Sequence, residues 1–288
     1  MTLNDLFANF YRPLRLRGKS PNTVRLYGCT IRSYGRFLER SPTVEDLEDL
    51  AVARFVEHRA SERSPFTAEK ERSQLASLAR FAFERRLLET RLDCGPPTRM
   101  PERIPSCWSV AELQRLLDTA GKTPGRIGTV PAGVWWRGII LTLWQSAERV
   151  GAITALDSRD WSRPRLIVAA EHRKGGKRDR LYTLGATCCD LLDTIADANR
   201  GKKLFYWDRC RTNLWRHFGL IVERAGLPGG RKQKFHNLRR SAATFFQAGG
   251  GDSSRLLDHS SPRVTRVYID PRYVNSGPSP FEILPQID

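Results

Sequence analysis

The sequence predicts a mainly α-helical protein with a small antiparallel β-sheet, in which an N-terminal helical bundle precedes a mixed α/β domain. Apolar residues recur at helical spacing over most of the chain. Two short apolar segments flank a basic turn that contains two glycines, which is typical of a β-hairpin. A proline-rich stretch near residue 100 separates the two parts, and 288 residues are enough for two cores.

The region before the proline-rich stretch is expected to form a bundle of about four or five helices. Apolar side chains lie three or four positions apart in each segment, and Ser20 stands where a helix cap is favoured. The segment Ser41–Thr43 is also expected to open a helix, because acidic residues follow it in what would be the first turn. The expected helices lie at residues 3–10, 20–38, from 41 onwards, and 65–88.

Residues 94–106 contain four prolines, which lack the backbone N–H that helices and sheets require. We therefore expect a linker here, between a domain of residues 1–93 and a domain of residues 107–288. A C-terminal tail is expected from about residue 269 onwards.

The second domain is expected to begin with a helix capped by Ser109, since Glu112 three residues later completes a capping box. The apolar helix Val134–Ala147 follows. Residues 165–170 and 180–184 are predicted strands, joined by a basic turn at residues 171–179. From residue 187 the chain is again expected to be helical.

The charge balance indicates a polyanionic partner. The chain has 48 Lys and Arg residues against 31 Asp and Glu, a net charge of +17. A basic surface attracts phosphates and releases their counterions, so nucleic acid is the expected ligand. A hydrophobic content of 40% excludes a disordered basic tail, and no apolar run approaches the ~20 residues of a membrane span. We expect a cytoplasmic, nucleoid-associated protein of a bacterium.

Motifs for other chemistries are missing from the sequence. The six cysteines show no C-x₂-C pair, and there is no phosphate-binding loop, no His-Glu-x-x-His and no carboxylate cluster. We therefore expect no metal site and no cofactor.

Six side chains are candidates for catalysis, although each alone has an ordinary structural explanation. A single arginine is usually a surface charge, and a tyrosine beside valines usually belongs to a core. The six candidates are Arg149, Lys174, His236, Arg239, His259 and Tyr268. Their order and spacing carry the functional signal.

Together these segments resemble the tyrosine recombinase (phage integrase) family. The segment that begins at His236 and includes Arg239 matches the family's HxLRR(T/S)xAT motif, and the Leu-Asp-His-Ser-Ser segment around His259 resembles its LGHSS motif. Tyr268 follows that histidine by nine residues, as in the family. Arg149 follows an apolar helix and Lys174 lies between two predicted strands, as the family's first arginine and hairpin lysine do.

The resemblance implies one role for each candidate. The implied roles are phosphate clamp for Arg149 and Arg239, general acid for Lys174, general base or proton shuttle for His236, phosphate donor for His259, and nucleophile for Tyr268. Guanidinium groups suit the clamp, because they bind phosphate oxygens through paired donors and stay charged. A phenol with an ordinary pKa near ~10 needs a neighbouring base and positive charge to attack at neutral pH. No metal is required.

DNA contacts are expected on both domains. Ser20-x-Asn-Thr-x-x-x-Tyr27 resembles the start of the family's core-binding domain, and basic residues elsewhere lie in predicted turns or beside the candidates. The expected DNA contacts are Lys19, Asn22, Thr23, Arg25, Arg173, Lys177, Lys232, Lys234 and Arg240. The partners that the resemblance implies are duplex recombination sites and three further copies of the chain in a homo-tetramer. Accessory directionality proteins are a further partner class, on which the sequence is silent.

The expected activity is site-specific recombination, through a 3′-phosphotyrosine intermediate and a Holliday junction. Two alternatives stay open at this point. A type IB topoisomerase-like relaxase uses similar chemistry as a monomer, and a relative that binds DNA but barely cuts would retain the same fold.

Several residues depart from the family pattern. Ser146 and Ala147 replace the usual Thr-Gly before the first arginine, and Asp258 replaces the glycine before the second histidine. Ala152 stands where an acidic residue often follows the first arginine, and Glu148 is a candidate to compensate. Two assignments have alternatives, namely Lys177 for the general acid and Tyr273 for the nucleophile.

Overall fold

The computed structural model describes residues 1–93, 97, 103–176, 178–228 and 234–274. The chain forms two compact units, Met1–Glu102 and Arg103–Asp288. Most of the proline-rich segment 94–106 and the last part of the tail lie outside the described residues.

The first unit is a helical bundle. Its elements are α1 (Leu3–Asp5), a π-helical stretch (Leu6–Tyr11), α2 (Arg12–Arg15), α3 (Pro21–Phe37), α4 (Asp49–Glu62) and α5 (Pro65–Glu84). The expected cap at Ser20 is confirmed, because its hydroxyl accepts a hydrogen bond from the Thr23 N–H at 3.2 Å. The core contains Tyr34 and Phe55, whose rings meet edge to face at 5.0 Å.

The prediction that a helix begins at Ser41–Thr43 is wrong. The Asp46 carboxylate accepts hydrogen bonds from the Thr43 N–H at 2.7 Å and from its hydroxyl at 3.1 Å, so the segment turns on itself. Thr43 also forms a bridge with Thr2, which draws the segment across the start of the chain. The next helix therefore begins only at Asp49.

The second unit combines helices with two small antiparallel sheets. Its elements are α6 (Val110–Gly121), β1 (Arg126–Ile127), β2 (Val130–Pro131), α7 (Ala132–Ser146), α8 (Val150–Ile153), β3 (Trp161–Ser162), β4 (Arg165–Val168), β5 (Arg180–Thr183), α9 (Ala186–Ala198), α10 (Arg211–Arg224), α11 (Lys234–Ala248), α12 (Ser253–Leu257) and α13 (Pro262–Arg266). The capping box of Ser109 and Glu112 is confirmed at the start of α6. The predicted hairpin is confirmed as the pair β4–β5, with Leu166 opposite Tyr182.

Helix α7 is the centre of the second unit. It is apolar around most of its circumference, and Trp135 and Trp136 are almost fully buried, with ring centroids 4.9 Å apart. The buried hydroxyls of Thr142 and Ser146 donate to carbonyls one turn back, at 2.8 and 2.6 Å. Because α7 packs against α11, the turn after α7 lies close to α11, and Arg239 on α11 donates to the Ala147 carbonyl in that turn.

Candidate active site

Tyr268 lies between two histidine rings. The ring centroids of His236 and His259 are each 4.9 Å from that of Tyr268. The guanidinium carbon of Arg239 lies 5.8 Å from the same ring centroid. His236 and Arg239 share one face of α11, being three residues apart, and Tyr268 follows α13. The structure thus brings four of the six predicted residues together.

Arg239 is almost completely buried, and its partners are backbone carbonyls. It is 2% exposed and donates to the carbonyl oxygens of Ala147 and, at 2.8 Å, Leu257. Among the described residues, no carboxylate forms an ion pair with it, and its Nε has no hydrogen-bond partner. A buried guanidinium without a counter-ion is costly, so this site favours an anionic ligand.

The carbonyls that hold Arg239 are set by two unusual backbone positions. Ala147 has a φ of 52° and Asp258 a φ of 57°, in the left-handed region that favours glycine. Both occupy positions at which the family motifs have glycine. The chain therefore retains the left-handed geometry at both positions although it lacks the residue that adopts it without strain.

A cavity of about 350 Å³ connects the other candidates with this centre. Its walls include Arg149, Lys174, His236 and Arg239. Arg149 stands at the N-terminus of α8, immediately after the left-handed turn that ends α7. Lys174 is exposed in the β4–β5 turn, where a side chain on Gly176 would clash with the Ala170 carbonyl oxygen at 2.6 Å. The six predicted residues therefore line or adjoin one site.

The two histidines are held neutral. Burial, followed by the charges of Arg240, Arg239 and Arg149, lowers the pKa of His236 to about 4. Burial and the same two site arginines also lower the pKa of His259. At pH 7 a neutral imidazole can accept a proton, so the site combines a base with uncompensated positive charge.

The hydrogen bonds of His259 indicate its tautomer. The Ser254 hydroxyl donates to Thr265 Oγ1 at 2.9 Å, which leaves the Thr265 proton for His259 Nδ1 at 3.1 Å. This assignment puts the ring proton of His259 on Nε2. That nitrogen is buried and has no partner among the described residues, so it is a donor without an acceptor.

Tyr273, the alternative nucleophile, lies in different surroundings. Its ring contacts Phe245 at 5.0 Å, and its N–H bonds to the Asp270 carbonyl at 3.2 Å. Neither histidine ring contacts it among the described aromatic pairs.

The prediction that Arg173 contacts DNA is wrong. This residue is only 6% exposed, and its Nε donates to the Glu148 carboxylate at 2.6 Å. Its Nη1 also lies 3.0 Å from Asp258. An arginine already paired with two carboxylates is not available to bind a phosphate.

The other predicted DNA contacts have mixed surroundings. Lys19, Asn22 and Arg25 are exposed around the start of α3, and Thr23 is half-buried there. Lys234 begins α11 with its ammonium beside Gly219, and Arg240 is half-buried one residue beyond Arg239. Lys177 and Lys232 lie outside the described residues, so Lys177 as the general acid stays an untested alternative.

Among the cavity-wall residues that sequence reasoning missed, two have side chains suited to binding a ligand. Arg211 and Trp215 lie one turn apart on α10, and the Arg211 guanidinium carbon is 4.8 Å from the Trp215 ring centroid. No motif pointed to them, because α10 approaches the cavity only through tertiary packing. The one clue was the spacing of four residues, which puts a cation and an aromatic ring on the same helix face.

The described part of the chain has neither a membrane-spanning helix nor a metal-binding cluster. No helix there is long and apolar enough to cross a membrane. No group of three or more His, Cys, Asp or Glu side chains there is arranged to hold a metal ion.

The fold of the chain is that of lambda integrase structures. The chain is similar to a lambda integrase dimer bound to a COC′ core site, with 19% identity, a TM-score of 0.72, and coverage of 92% of this chain and 97% of that one. It is also similar to a lambda integrase tetramer bound to a Holliday junction, with 19% identity, a TM-score of 0.74, and coverage of 94% and 78%.

Sequence comparison finds similar proteins of the same kind. Residues 7–86 match the model of the phage integrase N-terminal SAM-like domain. The chain is 26% identical to the tyrosine recombinase XerA of Thermococcus kodakarensis over 277 aligned residues. The alignment covers 92% of this chain and 90% of that protein. The chain is thus similar to tyrosine recombinases along almost its whole length, and its first unit matches a phage integrase domain.

Proposed function

We propose that this protein is a site-specific DNA recombinase with Tyr268 as its nucleophile. The observation that carries the proposal is the arrangement around that ring, with a neutral histidine on each side and the uncompensated guanidinium of Arg239 beside it. A phosphodiester supplies the missing negative charge, and the tyrosine supplies the attacking oxygen.

In the proposed cleavage step, the Tyr268 oxygen forms a bond to the scissile phosphorus. The phenolic proton passes to His236, whose lowered pKa keeps it neutral and able to accept. The bond from phosphorus to the 5′ oxygen breaks, and Lys174 protonates that oxygen as it leaves. The products are a 3′-phosphotyrosine and a free 5′ hydroxyl.

The negative charge that develops on the phosphate oxygens needs donors already in place. Arg149 and Arg239 would provide paired N–H groups, and His259 would donate from Nε2, which has no other acceptor among the described residues. Donors held in a buried site need no reorganisation during the reaction, so they stabilise the transition state more than the ground state.

Rejoining is the reverse reaction with a different 5′ hydroxyl. Two such exchanges on two duplexes pass through a Holliday junction, and the lambda integrase tetramer bound to such a junction supports proposing a homo-tetramer here. The partners are duplex recombination sites, with accessory directionality proteins as further candidates. We infer a cytoplasmic, nucleoid-associated location in a bacterium, where such sites would be found.

Both units are proposed to contact the DNA backbone. The side chains of Lys19 and Arg25 are exposed near the start of α3, and Arg25 is oriented by hydrogen bonds to the Asn22 side chain at 2.8 and 3.3 Å. Phosphate contacts of this kind fix register and orientation without reading sequence.

The test is a covalent-adduct assay on nicked DNA from the borders of the gene's own neighbourhood, where loss of a short 5′ fragment prevents rejoining. We expect a protein–DNA band on a denaturing gel with the wild type and with Tyr273→Phe, and none with Tyr268→Phe. A band that survives Tyr268→Phe and disappears in Tyr273→Phe would move the nucleophile to Tyr273. Tight binding without a band from any protein would favour a cutting-impaired relative, and relaxation of arbitrary supercoiled plasmid by monomers would favour a relaxase.

A further inference from the structure

Three charged side chains each come immediately before one of the proposed site residues. Glu148 precedes Arg149, Arg173 precedes Lys174, and Asp258 precedes His259. In the structure these three form one connected group. Arg173 Nε lies 2.6 Å from Glu148 Oε1, and Arg173 Nη1 lies 3.0 Å from Asp258 Oδ2.

The group joins three segments that have little regular structure of their own. Glu148 lies in the turn between α7 and α8, Arg173 in the turn between β4 and β5, and Asp258 in the turn after α12. Local hydrogen bonds within each turn do not fix the distances between turns. The central guanidinium of Arg173 does so, because it contacts carboxylates from both of the other segments.

Burial makes this geometry costly to change. The side chains of Glu148 and Arg173 are only 2% and 3% exposed, so either charge alone would be stranded away from water. Tyr182 also donates a hydrogen bond to the Glu148 carboxylate, at 2.8 Å. Burial and the charge of Glu148 raise the pKa of Tyr182, so its phenol stays protonated and keeps donating.

Asp258 completes the connection at the other end. Burial alone would raise the pKa of this carboxyl, but the charges of Arg173 and Arg180 lower it overall, so it remains ionised. Its left-handed backbone also directs the Leu257 carbonyl to Arg239. The adjacent residues Leu257 and Asp258 thereby contact the clamp arginine and the ion-pair group, respectively.

We propose that Glu148 is a positioning residue, which acts through Arg173 to place Lys174 at the leaving oxygen. This role rests on the proposed function. Ala152 offers no carboxylate after Arg149, and Glu148 provides one from the residue before that arginine. Glu148 itself is occupied by protein donors and does not contact the phosphate.

The test compares two nicked substrates that differ in one atom. One carries the ordinary scissile phosphodiester, and the other carries sulfur in place of the bridging 5′ oxygen. A thiolate leaves without protonation, because thiols have a pKa near ~8.5 whereas alcohols need a general acid. A misplaced Lys174 therefore slows cleavage of the oxygen substrate far more than cleavage of the sulfur substrate.

We expect Glu148→Gln to slow single-turnover cleavage of the oxygen substrate about 100-fold, the typical cost of a misplacement near 1 Å, and that of the sulfur substrate less than about 5-fold. Lys174→Ala should show the same contrast more strongly. Glu148→Asp, which retains the charge, should recover most of the loss.

The matched control is Glu71→Gln in the first unit. Glu71 is likewise buried and pairs with an arginine, Arg59, at 2.7 Å, but it lies on a helix. We expect this variant to lower the thermal midpoint while leaving the ratio of the two cleavage rates at the wild-type value.

The outcomes separate the two hypotheses. Equal slowing of both substrates by Glu148→Gln, or by Glu148→Asp if the glutamine variant does not fold, would mean a structural role and overturn the inference. Unchanged rates on both substrates would overturn it as well. If the wild type forms no adduct with any substrate, including the sulfur one, the proposed function fails first.

Discussion

Two buried arginines, one in each unit, are compensated in opposite ways. Arg59 in the first unit is 8% exposed and binds Glu71 at 2.7 Å and Glu62 at 2.6 Å. Arg239 in the second unit is 2% exposed and binds only carbonyl oxygens among the described residues. The charge of Arg59 is already neutralised by carboxylates of the protein, whereas Arg239 retains a charge that an incoming anion can neutralise.

The difference extends to the surroundings. The partners of Arg59 lie on α4 and α5, two regular helices whose geometry is set by their own backbones. The carbonyls around Arg239 belong to Ala147, which is left-handed, and to Leu257, which precedes the left-handed Asp258. The largest charge effect on Arg239 is repulsion by Arg149. Burial and the charge of Arg149 together lower the pKa of Arg239, and the more weakly acting charge of Glu148 does not reverse this.

Neutralising each arginine gives the largest expected effects, and the effects should be opposite. Arg239→Gln should slow adduct formation about 1,000-fold, because it removes donors aimed at the developing charge. It should change the free energy of unfolding of DNA-free protein by less than about 1 kcal/mol, since relief of repulsion offsets the lost hydrogen bonds. Urea titration and single-turnover cleavage measure the two quantities.

Arg59→Gln is the matched variant for that experiment. It leaves Glu71 buried without its partner, so we expect a loss of about 3 kcal/mol in unfolding free energy with an unchanged cleavage rate at low temperature. If Arg239→Gln instead destabilised the protein as much as Arg59→Gln did, Arg239 would be an ordinary structural arginine.

Acidification should weaken the second unit through His236. Its pKa of about 4 in the folded protein lies below the ordinary value near ~6.5 of an unfolded chain. Between these values the unfolded chain binds a proton that the folded protein does not, so unfolding free energy falls as pH drops from about 6.5 to 4. Urea midpoints at pH 7.5 and 5.0 measure this drop.

The control for that measurement is the replacement of a histidine in the first unit. His236→Asn should reduce the drop, whereas His58→Asn on α4 should leave it intact. Cognate DNA should also reduce the drop in the wild type, because a bound phosphate favours the protonated imidazole. A drop that is the same for both variants would place the acid sensitivity elsewhere.

The smallest effects concern the left-handed residues. Arg86, exposed at the end of α5, has a φ of 57°, and Ala147 has one of 52°. Arg86→Gly should raise the unfolding free energy by about 1 kcal/mol, because glycine adopts this conformation freely. Ala147→Gly should gain less, since it also removes a fully buried methyl group worth about 0.8 kcal/mol.

Differential scanning calorimetry of the full chain resolves changes of this size. A larger gain from Ala147→Gly than from Arg86→Gly would mean that the turn before Arg149 is more strained than its backbone angles indicate. Equal and negligible gains would mean that neither residue is strained.

Much of the fold could be predicted from the sequence, because its signals are local. The helical spacing around residues 20–38, the capping box at Ser109 and the two-glycine turn between the strands all fix short segments by nearest-neighbour geometry. The helix expected at Ser41–Thr43 failed because Asp46 and Thr2 compete for its backbone, and the second of these is distant in sequence.

The fold class, the resemblance to tyrosine recombinases and the six candidate residues follow from the order of amino acids, since these depend on residue type and spacing along the chain. What each charge faces depends on the three-dimensional fold. It buried Arg173 against Glu148 rather than exposing it to DNA, brought Arg211 and Trp215 to the cavity, and gave Arg239 no ion pair with any described carboxylate. Charge compensation depends on the distance between charges in space and on their burial, and neither quantity can be predicted from the order of residues.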